Sequence, residues 1–303
     1  MKFSGHETFT VREGWLHKGM QLVRDRPELF VNNVECSDAM GVGTNMAKSI
    51  RHWLRVMGLA ETGTTHNSAL RPTALGDLVW DHDPYFADIG TWWLLHVNLI
   101  RNKEHASTWY WFFNHFAQQR FDRALCNNQL RHYLTYNMKR QPSPNTLNRD
   151  IGCLLASYAR PIPDQQSDPE DYTECPFIEL GLINLYSLSG SYEINLGLKA
   201  VPPEILGYSL MLEFGKNGKS GVPIHDAASA VRGPGRAFLL TSESLFDLLA
   251  DAEDKLSGNH IEITSLAGER MVRFDTKTAE DWIKAYYKRR NIKSWDVPQL
   301  KAS

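Results

Sequence analysis

Thr44, Lys48, Arg51, His52 and Arg55 share one side of the segment Gly43-Thr-Asn-Met-Ala-Lys-Ser-Ile-Arg-His-Trp-Leu-Arg-Val-Met-Gly58. At about 100° per residue a helix gathers these five side chains on one face, with Asn45 beside Thr44 at its start. A hydroxyl, an amide, an imidazole and three cations held this way offer hydrogen-bond donors and positive charge to a polyanion. Such a face suits the major groove of DNA. The opposite side carries Met46, Ile50, Trp53, Leu54 and Met57, the spacing of a buried stripe. An ordinary amphipathic surface helix has the same pattern, so the flanking elements must discriminate.

Those elements predict a helix-turn-helix followed by a hairpin. Gly41-Val-Gly43 is a tight turn before the helix. Gly58 supplies a left-handed cap after it. The polar stretch from Thr62 to Ser68 reads as a hairpin tip, with His66 and Arg71 on or near it. Thr73 is a candidate N-cap for the next helix. Helix, turn, helix and short hairpin is the order of a winged-helix module. Such modules bind DNA and also dock proteins.

The 303 residues are 42% hydrophobic, and nine Trp with eleven Tyr exclude a disordered chain. The net charge of −2 is not the global signature of a nucleic-acid binder, so affinity for DNA must come from local basic faces or bound metal. No acidic residue lies between Arg123 and Arg149. No Lys or Arg lies from Pro161 to Leu198, where Asp164, Asp168, Glu170, Asp171, Glu174, Glu179 and Glu193 occur. This fits phosphate-facing and cation-facing sides, and equally a mosaic surface. Cys36, Cys126, Cys153 and Cys175 form no C-x-x-C pair, so we expect buried thiols rather than a zinc site or disulfides. No secretory or membrane-spanning run is present, which predicts a cytoplasmic protein without a membrane partner.

We expect a mainly α fold with small β-hairpins, an α+β chain built of several helix-turn-helix or winged-helix-like modules. Residues 1–83 form the first such domain. Residues 84–200 form a helical middle region rich in Trp and Phe, in which His96, Asn98 and Asn114 are the polar members. It holds a second helix-turn-helix over 122–159 and a pair of strands from Glu179 and from Gly190. Residues 201–303 form a C-terminal winged-helix-like domain. It has helices over Glu204–Phe214, Val222–Val231 and Ser242–Leu256, then a hairpin around Ala267-Gly268 with Arg232, Arg236, Arg270 and Arg273 placed for phosphate. A basic tail helix carries Lys284, Lys288, Arg289 and Arg290.

Three motifs resemble one family. They are Gly5-His-Glu-Thr-Phe with Arg12 and Trp15-Leu-His-Lys-Gly19; Gly41-Val-Gly-Thr-Asn-Met with Ser49-Ile-Arg-His-Trp; and Glu170-Asp171 before Pro176-Phe-Ile-Glu-Leu-Gly-Leu-Ile. Together they resemble SspB, the DNA-nicking component of bacterial single-strand phosphorothioation systems, from about residue 3 to about residue 290. The resemblance implies double-stranded DNA as substrate and a role in replacing a non-bridging phosphate oxygen by sulfur. It implies a cysteine desulfurase, an ATP-dependent sulfur-transfer enzyme and an ATPase as partners in antiviral defence. Where the family often carries Gly-Lys-Asn-Met, this chain has Gly43-Thr-Asn-Met, one cation fewer at Thr44.

Strand cutting requires an activated water and stabilisation of a pentavalent anionic transition state, which a divalent metal such as Mg or Mn assists. No compact nuclease signature is visible. Under the resemblance, His6 is a candidate base, Glu7 a ligand or orienter, Arg12 a phosphate clamp and Asp150 a further catalytic carboxylate. Glu170 and Asp171 are candidate metal ligands. Equally, Glu7 pairs with Arg12 to fasten the amino terminus, and the acidic loop is merely solvated. A non-catalytic winged-helix protein that presents DNA to sulfur-transfer enzymes, or a helical subunit without DNA contact, stands as the alternative.

Overall fold

The computed structural model describes residues 1–63, 69–162, 175–215, 221–256, 260–266, 268–275 and 278–290. His66, Asp164, Asp168, Glu170 and Asp171 lie outside these residues. The chain opens with an irregular segment before α1 (Trp15–Asp25), then α2 (Asn33–Met40) and α3 (Thr44–Val56). Gly41 ends α2 in the left-handed region at φ 64° and returns its N–H to Asp38 O and Ser37 O. That glycine permits the three-residue turn into α3. Ile50, Trp53, Leu54 and Met57 are fully buried and Met46 is half-buried, as the stripe predicted. Gly58 takes φ 79° behind the helix.

The hairpin β1 (Ala60–Thr62) and β2 (Leu70–Pro72) follows, antiparallel, with Glu61 opposite Arg71. Thr73 caps α4 (Ala74–His82) by accepting from Gly76 N–H at 3.0 Å, while its hydroxyl donates to a backbone carbonyl after α3.

The middle of the molecule is built on α5 (Ile89–Arg101), buried along nearly its whole length, and α6 (Ser107–His115). Its polar members are core fastenings. His96 donates from Nε2 to Ala237 O at 2.7 Å and pairs through Nδ1 with the Tyr158 hydroxyl at 2.8 Å. Asn114 donates to Ile100 O and Tyr110 O, and Asn98 accepts from the Tyr208 hydroxyl. The expected second helix pair is α7 (Arg123–Asn137) and α8 (Pro144–Tyr158), the latter capped by Ser143.

Two strands flanking this pair were not anticipated. β3 (Arg120–Phe121) and β4 (Ala159–Ile162) join β5 (Ile183–Tyr186) and β6 (Ser191–Ile194) in one sheet, ordered β3-β6-β5-β4. β4 runs parallel to β5, so this is a mixed sheet and not an isolated hairpin. The strand expected from Glu179 begins only at Ile183. Pro176–Leu180 forms a 3-10 turn closed by Gly181 at φ 63°, because Pro176 favours a helical start and the glycine a left-handed stop.

The last third holds α9 (Pro203–Phe214), β7 (Gly221–Pro223), α10 (Ile224–Ser229), α11 (Pro234–Ala237), α12 (Ser242–Lys255), β8 (Ile261–Leu266), β9 (Glu269–Phe274) and α13 (Ala279–Arg289). The helix expected over Val222–Val231 is cut at its start. Pro223 ends a short strand that pairs with β9, so the expected hairpin has three strands.

α13 packs back on α4 and α9. The Tyr287 ring stacks on His82 with centroids 4.8 Å apart. Arg289 pairs with buried Glu204 and Arg290 with Asp88 at 3.1 Å, so much of the basic tail is internally compensated. Arg232 pairs with Glu213, and Arg270 lies over the Phe246 ring. One buried apolar cluster runs through all three segments. All four cysteines are free and buried. Among the described residues no helix is long and apolar enough to cross a membrane.

Candidate nucleic-acid interface

The outward face of α3 is graded. Thr44 and Asn45, at its start, are exposed. Lys48 is half-buried, its Nζ 3.3 Å from Asn45 Oδ1. Arg51 donates from Nη1 to Phe30 O at 3.0 Å, which anchors its guanidinium at the base of α2. Burial and neighbouring Arg55 lower the Arg51 pKa. His52 is pushed down to about 3 by burial, then by His6, Arg55, His105 and Lys2, so its ring is neutral. Arg55 is half-buried one turn on.

The amino-terminal segment lies beside this face. Lys2 N–H donates to Ser107 Oγ at 2.8 Å and Ser4 N–H to Asp150 Oδ1 at 2.8 Å. Ser4, Glu7 and Thr8 adopt φ of 60°, 49° and 69°. Three non-glycine residues in the left-handed region cost of order 1–3 kcal/mol each and persist only where surrounding contacts impose them. The segment and α3 enclose a pocket of about 200 Å³. Lys2, Lys48, Arg51 and Arg55 line it with His52 and His105, and among the described residues no carboxylate does. Clustered cations in a concave site focus positive potential on an incoming anion.

Gly5 lies directly on the His52 ring, where an added Cβ would come 2.6 Å from Cε1. Gly5→Ala is therefore expected to cost about 1–3 kcal/mol by overpacking and to lower the thermal midpoint. A variant as stable as the wild type would mean that the segment does not pack on α3.

Beneath the pocket the carboxylate of Asp150, on α8, is buried. Oδ1 accepts from Ser4 N–H, from His6 Nε2 at 3.1 Å and from Ser4 Oγ at 3.3 Å; Oδ2 accepts from Thr108 Oγ1 at 2.9 Å. Thr8 N–H donates to His6 Nδ1 at 3.1 Å, which puts the His6 proton on Nε2, facing Asp150. Both ring nitrogens are thereby engaged. His6 also meets Trp53 at 6.2 Å and Trp109 at 5.5 Å between centroids. The first two motifs thus converge: Gly5-His6 sits on His52-Trp53, and Asp150 binds the junction from below.

The other candidates are less tightly joined. Glu7 is half-buried. Arg12 lies over the rings of Phe9 and Trp15, 5.7 and 5.4 Å from their centroids, and among the described residues no ion pair joins it to Glu7. Arg71, on the hairpin, pairs with Glu61 at 2.8 Å, both half-exposed. Arg149 is exposed while Asp150 points inward. Lys2, Ser4, His105 and Thr108 complete the site without any signal in the sequence, because chain folding alone brings them there. Among the described residues no group of three or more His, Cys, Asp or Glu could hold a metal ion.

The neutral histidines predict a pH response. Burial holds His52 near 3 and His96 near 4, whereas both titrate near 6.5 in the unfolded chain. A folded-state pKa below the unfolded value means that acid loads protons preferentially onto the unfolded chain. Stability should be full above about 6.5 and fall towards pH 4, by up to about 1.4 kcal/mol per pH unit for each group. Denaturant melts across this range should show the slope, and His52→Gln should flatten part of it. A slope unchanged in that variant would contradict the burial of the ring.

No curated protein shows significant similarity to the chain. Solved structures do. A crystal structure of magnesium ion-bound SspB is 25% identical, with a TM-score of 0.79 and 96% of each chain covered. A second SspB crystal structure is also 25% identical, with a TM-score of 0.78, covering 96% of this chain and 95% of its own. The family model described as "Protein of unknown function (DUF4007)" matches residues 3–287. The match spans nearly the whole sequence, so this chain belongs to the DUF4007 family, and it has the fold of SspB.

Proposed function

We propose that this protein binds double-stranded DNA against the outer face of α3 and cuts one strand, as the nicking component of a DNA phosphorothioate modification and defence system. The observation that carries the reading is the convergence of the two SspB-like motifs on one pocket lined by four cations and, among the described residues, by no carboxylate. Lys48, Arg51 and Arg55 receive backbone phosphates, with Lys2 reaching in from the amino terminus. Thr44 and Asn45, exposed at the start of the helix, lie nearest the base edges, and Arg71 meets the backbone from the hairpin. His6 and Asp150 hold the junction in place. Glu7 and Arg12 remain the candidate carboxylate and clamp at its edge.

Likeness to a magnesium-bound SspB structure favours Mg or Mn as the activating ion. The described residues hold no cluster of three or more such ligands, so no step is assigned to the ion, and Glu170 and Asp171 remain candidate ligands outside them. The system would include a cysteine desulfurase, an ATP-dependent sulfur-transfer enzyme and an ATPase, with the protein acting in the cytoplasm.

One observation favours a second reading, a non-catalytic protein that presents DNA to sulfur-transfer enzymes: His6 and Asp150 are saturated by internal hydrogen bonds. Plasmid relaxation separates the two. Conversion of supercoiled plasmid to open circles with Mg²⁺ or Mn²⁺, lost in Glu7→Gln, supports nicking. Plasmid left intact by the protein, alone and with its partners, while binding persists, supports the scaffold.

A further inference from the structure

A second cavity, of about 280 Å³, lies between the end of α6, β6 and the stretch from α10 to the start of α12. One wall is apolar, made by Phe116, Leu196 and Leu240. Arg236, Gln119 and Ser242 supply polar atoms, and among the described residues no carboxylate lines it. Arg236 itself is half-buried; its Nε is shielded from solvent and has no hydrogen-bond partner among the described residues. What the guanidinium can offer a ligand in the cavity is its remaining N–H donors, and a charge-assisted bond from these to an anion is the strong contact available there.

The backbone that presents Arg236 is fixed. A Cβ on Gly235 would come 2.7 Å from the Ala228 carbonyl carbon, and one on Gly233 2.9 Å from Ala227 O. Only glycine lets α11 lie this close to α10. Ala237 O is tied to buried His96, and Leu239 is held at φ 51°. The backbone that carries Arg236 is therefore rigid, unlike that of an arginine on a loose surface loop.

The cavity divides as a nucleotide does. Its lining combines apolar side chains, a single cation and exposed hydrogen-bonding side chains. Bare phosphate would leave the Phe116 wall unused, and a fatty acid would bury Gln119 and Ser242 unpaired. We infer that this cavity binds one nucleoside monophosphate unit, its phosphate on Arg236 and its base against Phe116 and Leu240. The unit comes either from a free mononucleotide or from an unpaired nucleotide in a single strand. The site is independent of the α3 pocket, so it can fail or hold without regard to strand nicking.

Calorimetric titration of the full chain with deoxyadenosine monophosphate, and fluorescence anisotropy with a short single-stranded oligodeoxynucleotide, test this. Saturable binding of at least one probe is expected. Arg236→Gln should weaken it by about tenfold or more, the loss of one charge-assisted contact. Adenosine without phosphate should bind weakly and be indifferent to that variant. Ser229→Trp, at the exposed mouth, should block binding without touching the core. Lys48→Ala with Arg55→Ala should leave mononucleotide binding unchanged. Tighter binding of the mononucleotide identifies a free ligand, and tighter binding of the oligonucleotide identifies a strand. Absence of saturable binding of either probe to the wild type overturns the inference. So does binding that survives both Arg236→Gln and Ser229→Trp.

Discussion

Asp150→Ala is expected to lower the unfolding free energy by about 3–5 kcal/mol, the cost of removing one partner from a buried charge network. Four donors converge on this carboxylate, from Ser4, His6 and Thr108. Alanine strands all of them, His6 and Thr108 in the buried interior and Ser4 at its edge. Asparagine is little better, since its amide nitrogen must face a donor. Release of Ser4 and His6 also frees the amino-terminal segment from α3, so the cationic pocket loses one wall. Denaturant melts measure the first effect, and DNA binding by the surviving folded fraction measures the second. A variant that melts like the wild type would show that Asp150 does not hold the junction.

The second large effect concerns affinity. Lys48→Ala with Arg55→Ala removes two of the four cations of the pocket. Neither is an anchor for the fold in the way that Arg51, bonded to Phe30 O, is. If each meets a phosphate, the plot of log affinity against log salt should become shallower by roughly one unit per residue removed. Affinity near physiological salt should fall about tenfold or more. His52 carries no charge at neutral pH, so His52→Gln should leave that slope unchanged while altering the packing against Gly5. A double variant with unaltered slope would take the pocket out of the interface.

The sequence makes α3 legible because everything that defines it is local. Gly41, Gly58 and Thr73 are read from residue type, and the stripe of Ile50, Trp53, Leu54 and Met57 from its period. The solvent face is also legible as a face, but not as a pocket. Its wall is a segment some forty residues earlier in the chain, held down by Asp150, which is 146 residues from Ser4 and 42 from Thr108. Periodicity puts Asp150 on a helix beside Arg149 but cannot say which of the two points inward. The strands β3, β4 and β7 escape for a related reason. Each has two to four residues, too few to display alternation, and each exists only because a distant partner pairs with it. Arg71, Arg289 and Arg290 show the converse limit, since composition counts them as basic while the fold pairs each with a carboxylate.

The placement of α3 against DNA can be measured directly. All four native cysteines are buried, so Asn45→Cys at the exposed start of α3 gives one reactive thiol, to which an iron chelate that cleaves nearby DNA can be attached. A matched probe at Leu188→Cys, on the exposed turn between β5 and β6, serves as the comparison. Cleavage of a bound duplex clustered around the Asn45 probe, competed away by unlabelled DNA, is the expected result. Cleavage from the Leu188 position alone, on DNA that is demonstrably bound, would contradict the assignment of this helix to the duplex.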